Sequence, residues 1–462
     1  MKQPNIVYIL ADDMGYGDVS CLNERSALHT PHIDAMHDAG LSCTNAHASS
    51  AVCTPSRYSI MTGRYCWRTR LKNGVLFGYD EPLIDRDRET VASYLKGKGY
   101  KTACIGKWHL GFEWSLKDEE DKQSIDYEKP LKDTPVHHGF DYFYGIAGSL
   151  DMPPYVYVEN DRVTAVPDRI CGDESGVDGL NKGYFRTGPT GSDFVHEEVL
   201  GNFTQRVLDT LDQYKDDPFF IYFPLTAPHT PILPTEKYRG RSGTNAYGDF
   251  VLMCDDIVGM VNQKLEKLGL LEDTIVVFTS DNGCSPMANF PELAQYGHNP
   301  SYIFRGHKAD IYEGGHRIPY IIQWPKGIKA GSQSDATVCL SDMYATLREL
   351  HGDEPDSGLS EDSVSNLPLW QGDTQKEVRE SIIHHSINGS FSIRKGRWKL
   401  VACPDSGGWS LPRPGTVPED EPKFQLYDMA TDIRERRNLY GTMPEVEADL
   451  MSLLQWHKDN NV

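Results

Sequence analysis

Short runs of apolar residues, rich in β-branched and aromatic side chains, recur along the first 325 residues of the chain. They occupy residues 5–10, 101–105, 218–223, 274–279 and 319–323. Their continuous hydrophobicity, without alternation, is typical of parallel strands buried on both faces. Segments of helical periodicity separate them; in 255–268, Ile257, Val261 and Leu265 recur every four residues and form one apolar face. The pattern predicts an α/β fold with a large mixed, mostly parallel sheet sandwiched by helices.

The hydrophobic pattern changes near residue 352, where a polar stretch begins. Beyond it, strand-like runs occupy residues 381–387, 391–403 and 424–429, and a helical run occupies 450–458. Turn residues separate these runs, which is typical of a small antiparallel sheet. We therefore predict a larger α/β domain that carries the active site, residues 1–365, and a smaller C-terminal domain of antiparallel sheet plus helix, residues 366–462.

Polar residues directly follow four of the predicted strands. Asp12 and Asp13 follow the first, Lys107 and His109 the second, His229 the third, and Asp281 with Asn282 the fourth. Ligand sites of open α/β sheets lie beyond the carboxyl ends of the strands. We therefore expect these side chains to meet at one edge of the sheet and to form the active site.

The composition argues against several classes of protein. A formal net charge of −21 over 462 residues disfavours a nucleic-acid partner, since binding a polyanion requires a surplus of Lys and Arg. No apolar stretch reaches the ~20 residues of a membrane-spanning helix. Ten scattered cysteines without a CxxC pair fit neither a zinc nor a disulfide scaffold and are typical of a reducing compartment. The N-terminus lacks signal-peptide features, which favours the cytoplasm; if a signal has been removed, the protein would be periplasmic or secreted.

The most specific motif is Cys53-Thr54-Pro55-Ser56-Arg57, followed by Thr-Gly-Arg at 62–64. A buried cysteine before a helix that starts with proline would explain Pro55 but not the whole string. The motif resembles the signature of the type I, formylglycine-dependent sulfatases of the alkaline phosphatase superfamily, especially arylsulfatase A-like and bacterial glycan sulfatases. The resemblance implies a sulfuric ester hydrolase in which a separate formylglycine-generating enzyme converts Cys53 to Cα-formylglycine. Of the two hydroxyls of the hydrated aldehyde, one would attack sulfur and the other would later expel sulfate.

Four oxygen-bearing residues form a candidate metal site: Asp12, Asp13, Asp281 and Asn282. Oxygen ligands alone favour a hard cation. Taken singly, Asp-Asp could cap a helix and Asp-Asn-Gly could form a turn. The resemblance to sulfatases implies that the four residues hold one Ca²⁺, which also contacts an oxygen of the modified residue 53.

The resemblance assigns the remaining catalytic residues. The segment 106–111, Gly-Lys-Trp-His-Leu-Gly, resembles a family motif in which Lys107 binds sulfate and His109 acts on a formylglycine hydroxyl. His229 and Lys308 would flank the leaving oxygen, and His229 would protonate the departing alcohol. Arg57, Lys107 and Lys308 would offset the charge of an anionic substrate.

Few residues of the sequence indicate the alcohol half of the substrate. Ser149 and Asp151 lie in a segment that resembles bacterial glycan sulfatases, where they would bind the substrate, although Asp151 could equally cap a turn. This favours a small or oligomeric carbohydrate sulfate ester, and most narrowly a galactose or N-acetylgalactosamine 6-sulfate. Four histidines outside the motifs are expected at solvated or loop positions: His137, His138, His384 and His385.

Two other functions remain open at this stage. The chain could be a phosphonate or phosphate monoester hydrolase of the same superfamily, although the motifs around Lys107 and His229 favour a sulfatase. It could also be a catalytically inactive protein that binds sulfated glycans. Loss of a catalytic residue would mark that function, and no such residue is missing.

Overall fold

The computed structural model describes residues 3–173, 184–354 and 358–460. In chain order its strands are β1 Asn5–Asp12, β2 Leu41–Cys43, β3 Ala46–His47, β4 Lys101–Lys107, β5 Tyr142–Ile146, β6 Val158–Glu159, β7 Arg162–Val163, β8 Pro167–Asp173, β9 Phe185–Gly191, β10 Phe219–Pro228, β11 Thr274–Ser280, β12 Tyr320–Gln323, β13 Ser332–Ser334, β14 Val338–Cys339, β15 Ser381–His385, β16 Phe391–Lys395, β17 Trp398–Val401 and β18 Gln425–Asp428.

The α-helices are α1 Pro31–Ala39, α2 Cys53–Thr62, α3 Val91–Gly97, α4 Val199–Tyr214, α5 Ala246–Lys267, α6 Phe290–Gln295, α7 Glu313–His316, α8 Met343–Leu350, α9 Leu367–Trp370 and α10 Pro444–Asp459. No helix in the described ranges combines the length and the apolar character needed to cross a membrane.

One large mixed sheet organises the chain, in the order β13-β2-β12-β11-β1-β10-β4-β5-β6-β7. Its centre, from β11 to β5, consists of parallel strands. The sequence analysis treated the run at 319–323 as parallel, and this is wrong, because β12 pairs antiparallel with β11. The run is buried on both faces like its neighbours, so its hydrophobicity carries no information about direction.

Side chains alternate between two hydrophobic cores on opposite faces of the large sheet. In β1, Ile6, Tyr8 and Leu10 lie in one core, whereas Val7 and Ile9 lie in the other. Helices α2, α3, α8 and α9 contribute to the first core, and α1, α4, α5 and α6 contribute to the second. The predicted sandwich of a mostly parallel sheet between helices is confirmed.

The C-terminal part forms a second sheet in the antiparallel order β15-β16-β17-β18. Helix α10 packs against it through Leu450 and Leu454, as predicted for a small antiparallel sheet plus helix. This sheet is tied to the catalytic part by a bridge between Ser50 and His385, three residues before Cys53. The domain boundary at residue 365 stays a prediction.

Candidate active site

Neighbouring strands of the large sheet deliver the predicted site residues to one edge. Strand β1 ends at Asp12 and β4 at Lys107, while β10 and β11 end one residue before His229 and Asp281. These strands are consecutive in the order β11-β1-β10-β4. The four side chains therefore converge although as many as 269 positions separate them in the chain, the span from Asp12 to Asp281.

Four oxygen-bearing side chains pack together at the ends of β1 and β11. Asp13 adopts a left-handed φ of 68°, and its backbone N–H donates to Asp281 Oδ1 at 3.1 Å. Asn282 Nδ2 donates to Asp13 Oδ1 at 2.7 Å. Asp12 Oδ1 and Asn282 Oδ1 are buried and accept no hydrogen bond. Buried hydrogen-bond acceptors are rarely left without a donor. These two oxygens, together with the carboxylate oxygens of Asp13 and Asp281, are the kind of ligand that Ca²⁺ prefers and therefore fit a calcium ion.

Three buried cations face the three carboxylates of this group. Lys107 Nζ lies 2.7 Å from Asp12 Oδ2, and Arg57 donates from Nε and Nη2 to Asp281 Oδ2 at 3.0 and 2.7 Å. Lys308 Nζ donates to Asp13 Oδ2 at 2.8 Å. Burial and the neighbouring carboxylates raise the pKa of Asp281 to about 6, and the Arg57 charge opposes this only in part. The three cations balance the three carboxylates, and they supply the positive charges that can face an anionic substrate in an acidic protein.

Cys53 is the first residue of α2 and is only 2% exposed. Burial raises the pKa of its thiol despite the attraction of Lys107 and Lys308. The thiol is therefore protonated at neutral pH, whereas reactive cysteines are thiolates. An unmodified Cys53 is thus a poor nucleophile, although the charges of Lys107, Lys308, Asp281 and Asp12 all act on it.

Each of the two predicted catalytic histidines has one nitrogen fixed by a backbone carbonyl. His109 Nε2 donates to Leu76 O at 2.7 Å, and its Nδ1 is buried without a partner. Burial and the nearby Lys107 and Arg57 hold the pKa of His109 well below its usual range, so Nδ1 is a free proton acceptor. His229 Nδ1 donates to Thr230 O at 2.6 Å, which leaves Nε2 facing Asp13 Oδ2 at 3.6 Å.

The predicted substrate-binding residues follow β5, the neighbour of β4. Backbone bonds from Trp108 and His109 to the residues at the end of β5 hold this segment beside the catalytic histidine. Ser149 Oγ and Asp151 Oδ1 are buried and lack a hydrogen-bond partner. Arg186 Nη1 donates to Asp151 Oδ2 at 2.7 Å. The geometry thus offers two polar atoms without a partner, two and four residues after Ala147, whose carbonyl accepts from the N–H of His109.

Sequence reasoning missed three contributors to this site. Arg186 is carried by β9, and its guanidinium lies 5.5 Å from the ring centre of Phe77, which is 46% exposed. Leu76 contributes only its carbonyl, to His109. No motif marks these residues, because a backbone acceptor carries no side-chain signature and Arg186 reaches the site only through the fold.

The predicted solvated or loop positions are wrong for two of the four histidines at 137, 138, 384 and 385. His384 and His385 are buried in β15. His138 lies in the short 3-10 turn Pro135–His138 but is buried, with Nε2 at 2.8 Å from Asp133 Oδ1. Of the four, only His137 is exposed. The error has a physical reason, since both faces of β15 are covered and imidazoles there are enclosed by neighbours that sequence spacing does not reveal.

His384 belongs to a second buried ionic group, which we call the sheet-junction cluster. It joins α7 to the C-terminal sheet and consists of His47, Glu313, His316, Arg317, His384, Arg394, Lys399 and Glu435. The rings of His316 and His384 are stacked, with centres 3.7 Å apart and planes 12° apart. The nitrogen lone pairs of an imidazole lie in the plane of its ring. Because the two rings lie in nearly parallel planes, their lone pairs do not point at a common position where both could bind one metal ion. Burial and Lys399 also hold the pKa of His316 well below its usual range.

Comparisons with known proteins identify the family. A family model described as Sulfatase matches residues 4–352. N-acetylgalactosamine-6-O-sulfatase of Bacteroides thetaiotaomicron is 32% identical, with 98% of this chain and 93% of that protein covered. Arylsulfatase A of Homo sapiens is 29% identical, with 98% and 87% covered. A solved structure from a study of glycosaminoglycan metabolism by Bacteroides thetaiotaomicron is 32% identical and covers both chains fully, with a TM-score of 0.86. This chain therefore belongs to the sulfatase family and is a sulfuric ester hydrolase.

Proposed function

We propose that this sulfatase hydrolyses sulfate esters of carbohydrates, most narrowly the 6-sulfate of galactose or N-acetylgalactosamine, with a formylglycine at position 53 and one bound Ca²⁺. The observation that carries the carbohydrate assignment is the pair of buried, unpartnered atoms Ser149 Oγ and Asp151 Oδ1 beside His109. The 32% identity to an N-acetylgalactosamine-6-O-sulfatase supports the narrower substrate.

The metal would be held by Asp12, Asp13, Asp281 and Asn282. When bound, Ca²⁺ polarises the sulfate ester and lowers the pKa of the attacking hydroxyl. Two of these residues already present oxygens without hydrogen-bond donors. Arg57 donates to Asp281 Oδ2 and Lys107 donates to Asp12 Oδ2, and these bonds restrict the rotation of the two carboxylates.

Formylglycine, produced from Cys53 by a formylglycine-generating enzyme, would supply a hydrated aldehyde with two hydroxyls. The protonated thiol of Cys53 supports this modification, since it leaves the unmodified side chain without a useful nucleophile. Lys107 and Lys308, which pair with Asp12 and Asp13, would bind the sulfate oxygens and stabilise the charge that develops on them.

Asp281 would accept the proton of the hydroxyl that attacks sulfur, and the two histidines would carry out the other two proton transfers. His229, fixed through Nδ1 on Thr230 O, donates a proton from Nε2 to the departing alcohol, with Lys308 alongside. His109, fixed through Nε2 on Leu76 O, accepts the proton of the remaining hydroxyl at Nδ1. The lowered pKa of His109 keeps this nitrogen deprotonated at neutral pH.

Asp151 and Arg186 would recognise the sugar. Asp151 Oδ2 accepts a hydrogen bond from Arg186, and Oδ1 is available to accept one from a sugar hydroxyl. A sugar of the wrong configuration would leave that buried oxygen unpaired, at a cost of ~1–3 kcal/mol. Asp151→Ala should therefore reduce kcat/KM on sulfated sugars about 10- to 100-fold, while a small aryl sulfate is hydrolysed as before. Equal losses on both substrates would show that Asp151 serves the fold or the sulfate site.

The decisive experiment is a desulfation screen against sulfated sugars that differ in sulfate position and in sugar. The protein should be co-expressed with a formylglycine-generating enzyme. Paired aryl sulfate and aryl phosphonate esters test the phosphonate or phosphate monoester hydrolase alternative, which requires faster turnover of the phosphonate. Binding of sulfated sugars without hydrolysis of any ester would instead support an inactive binding protein. The cytoplasmic location stays a prediction.

A further inference from the structure

A loop of the C-terminal part lies directly on the catalytic segment that contains Lys308. We call residues 405–413 the rim loop. Ile311 N donates to Ser406 O at 2.8 Å, and Gly408 packs so closely that an added Cβ would lie 2.5 Å from Ala309 O. Ala309 in turn donates to Ala51 O at 2.8 Å, two residues from Cys53. The rim loop is therefore two backbone contacts away from the nucleophile position.

A buried carboxylate fixes the rim loop and the catalytic segment together. Asp310 is 0% exposed, and its Oδ1 accepts hydrogen bonds from the backbone N–H groups of Trp409 and Ser410 at 2.8 and 3.0 Å. Its Oδ2 accepts from the N–H of His307 at 3.0 Å. One side chain thus sets the position of Trp409 relative to Lys308, which His307 precedes.

The rim loop presents an aromatic and a cationic side chain to solvent. Trp409 is 40% exposed and its ring pairs with no aromatic ring in the described part of the chain. Arg413 is exposed, and among the described residues its guanidinium donates only from Nε, to Trp409 O at 3.2 Å. The ring of an exposed tryptophan on a rigid loop can stack on the apolar face of a sugar. The Nη groups of Arg413 can pair with a carboxylate or a sulfate.

We propose that the rim loop is a second sugar-binding subsite, which takes an acidic sugar joined to the sulfated one. Trp409 stacks on this second sugar and Arg413 pairs with its carboxylate or sulfate. The proposal rests on the proposed carbohydrate function and extends it, since it makes an acidic oligosaccharide the preferred substrate over a sulfated monosaccharide.

Kinetics with three substrates test this subsite: a 6-sulfated monosaccharide, a disaccharide that joins the same sugar to a uronic acid, and a neutral disaccharide. Trp409→Ala should raise KM about 5- to 10-fold for both disaccharides, by loss of a stacking contact. KM for the monosaccharide and kcat for every substrate should stay within about twofold, the range expected when no contact is lost. Arg413→Gln should raise KM only for the acidic disaccharide.

Trp456→Ala is the matched control, because Trp456 is also exposed, at 57%, but lies on α10. Calorimetry of the acidic disaccharide binding to Cys53→Ala protein, with and without Trp409→Ala, measures the same contact without turnover. A KM unchanged in Trp409→Ala, or raised equally for the monosaccharide, would overturn the subsite and leave the carbohydrate function intact. Hydrolysis of an aryl sulfate but of no sulfated sugar would overturn both.

Discussion

Two buried ionic clusters of this protein differ in how closely their carboxylate and amide oxygens are paired with donors. In the sheet-junction cluster, Lys399 Nζ lies 3.1 Å from Glu313 Oε1 and 2.7 Å from Glu435 Oε1. The second oxygens of these two carboxylates accept from Arg317 and from the backbone of Glu313. In the active-site cluster, which comprises Asp12, Asp13, Asp281, Asn282 and the cations around them, Asp12 Oδ1 lies 3.4 Å from Arg57 Nη2 without a hydrogen bond, and Asn282 Oδ1 accepts no hydrogen bond. The carboxylate oxygens of Glu313 and Glu435 each have a cation or an N–H within 3.1 Å and are structural, whereas oxygens without a close donor point to a ligand.

Access to solvent does not separate the two clusters. His229 and Lys308, beside the active-site carboxylates, are each 6% exposed, and Arg317 of the sheet-junction cluster is 4% exposed. The side chain of Arg394, also in the sheet-junction cluster, is 11% exposed. Charge and burial therefore rank the two clusters equally, and only the oxygens without a close donor distinguish them.

The largest expected effect is on the nucleophile. Cys53→Ala should abolish turnover and change the free energy of unfolding by no more than ~1–2 kcal/mol, since one sulfur atom is lost from a buried position. Cys43→Ala, an equally buried cysteine on β2, is the matched control and should remain active. Mass spectrometry of active protein should find the peptide of residue 53 about 18 Da lighter than its cysteine form. Activity with an unmodified thiol would contradict the mechanism.

The second largest effect is expected from removal of the metal, which should change the active-site cluster and leave the sheet-junction cluster unaffected. Chelation should suppress activity, and Ca²⁺ should restore it better than Zn²⁺ because the ligands are oxygens. Ca²⁺ at 100 times its Kd should also stabilise the folded protein by about 2.7 kcal/mol. Asp12→Ala should remove this gain in thermal unfolding, whereas a sheet-junction variant should keep it. A gain that survives Asp12→Ala would place the ion elsewhere.

For a change in the sheet-junction cluster we expect a loss of stability without a loss of catalytic rate. Lys399→Met should lower the free energy of unfolding by about 3–5 kcal/mol, because Glu313 and Glu435 lose their shared cation inside the protein. The folded fraction should hydrolyse substrate at the normal rate. Denaturant unfolding measures the loss, and adding Glu435→Gln should recover part of it. Loss of activity at unchanged stability would mean that this cluster acts in catalysis.

The effect that is smallest at neutral pH, and that appears only on acidification, is the dependence of stability on pH. Burial lowers the pKa of His385 from about 6.5 to about 4. Between these values the unfolded chain binds a proton that the folded chain does not, so stability is full above pH 6.5 and falls towards pH 4. This single group accounts for about 3 kcal/mol at pH 4. Denaturant unfolding of His385→Leu between pH 4 and 7 should show a correspondingly shallower slope, and an unchanged slope would refute the assignment.

The sequence predicted the central sheet and the convergence of the site residues because each parallel strand is a continuous apolar run that ends in polar residues. It did not predict the direction of β12, since burial on both faces leaves no directional signal. It missed Arg186, the Leu76 carbonyl and the sheet-junction cluster for a related reason. These depend on contacts between distant segments, such as the 86 positions that separate Lys399 from Glu313, and neither periodicity nor spacing encodes such contacts.

The burial of Cys53 restricts when its proposed modification could occur. The residue is 2% exposed, and every other residue of α2 is buried as well. Another enzyme could not draw this segment into its own active site without unfolding the helix and opening the core of the large sheet. The proposed oxidation of Cys53 would therefore have to precede folding. Because the end of β11 lies more than 220 residues after Cys53, synthesis itself provides an interval in which α2 has been made but the sheet that buries it is incomplete. Folding and the proposed modification would then compete, and a chain that folds first would be stable but inactive.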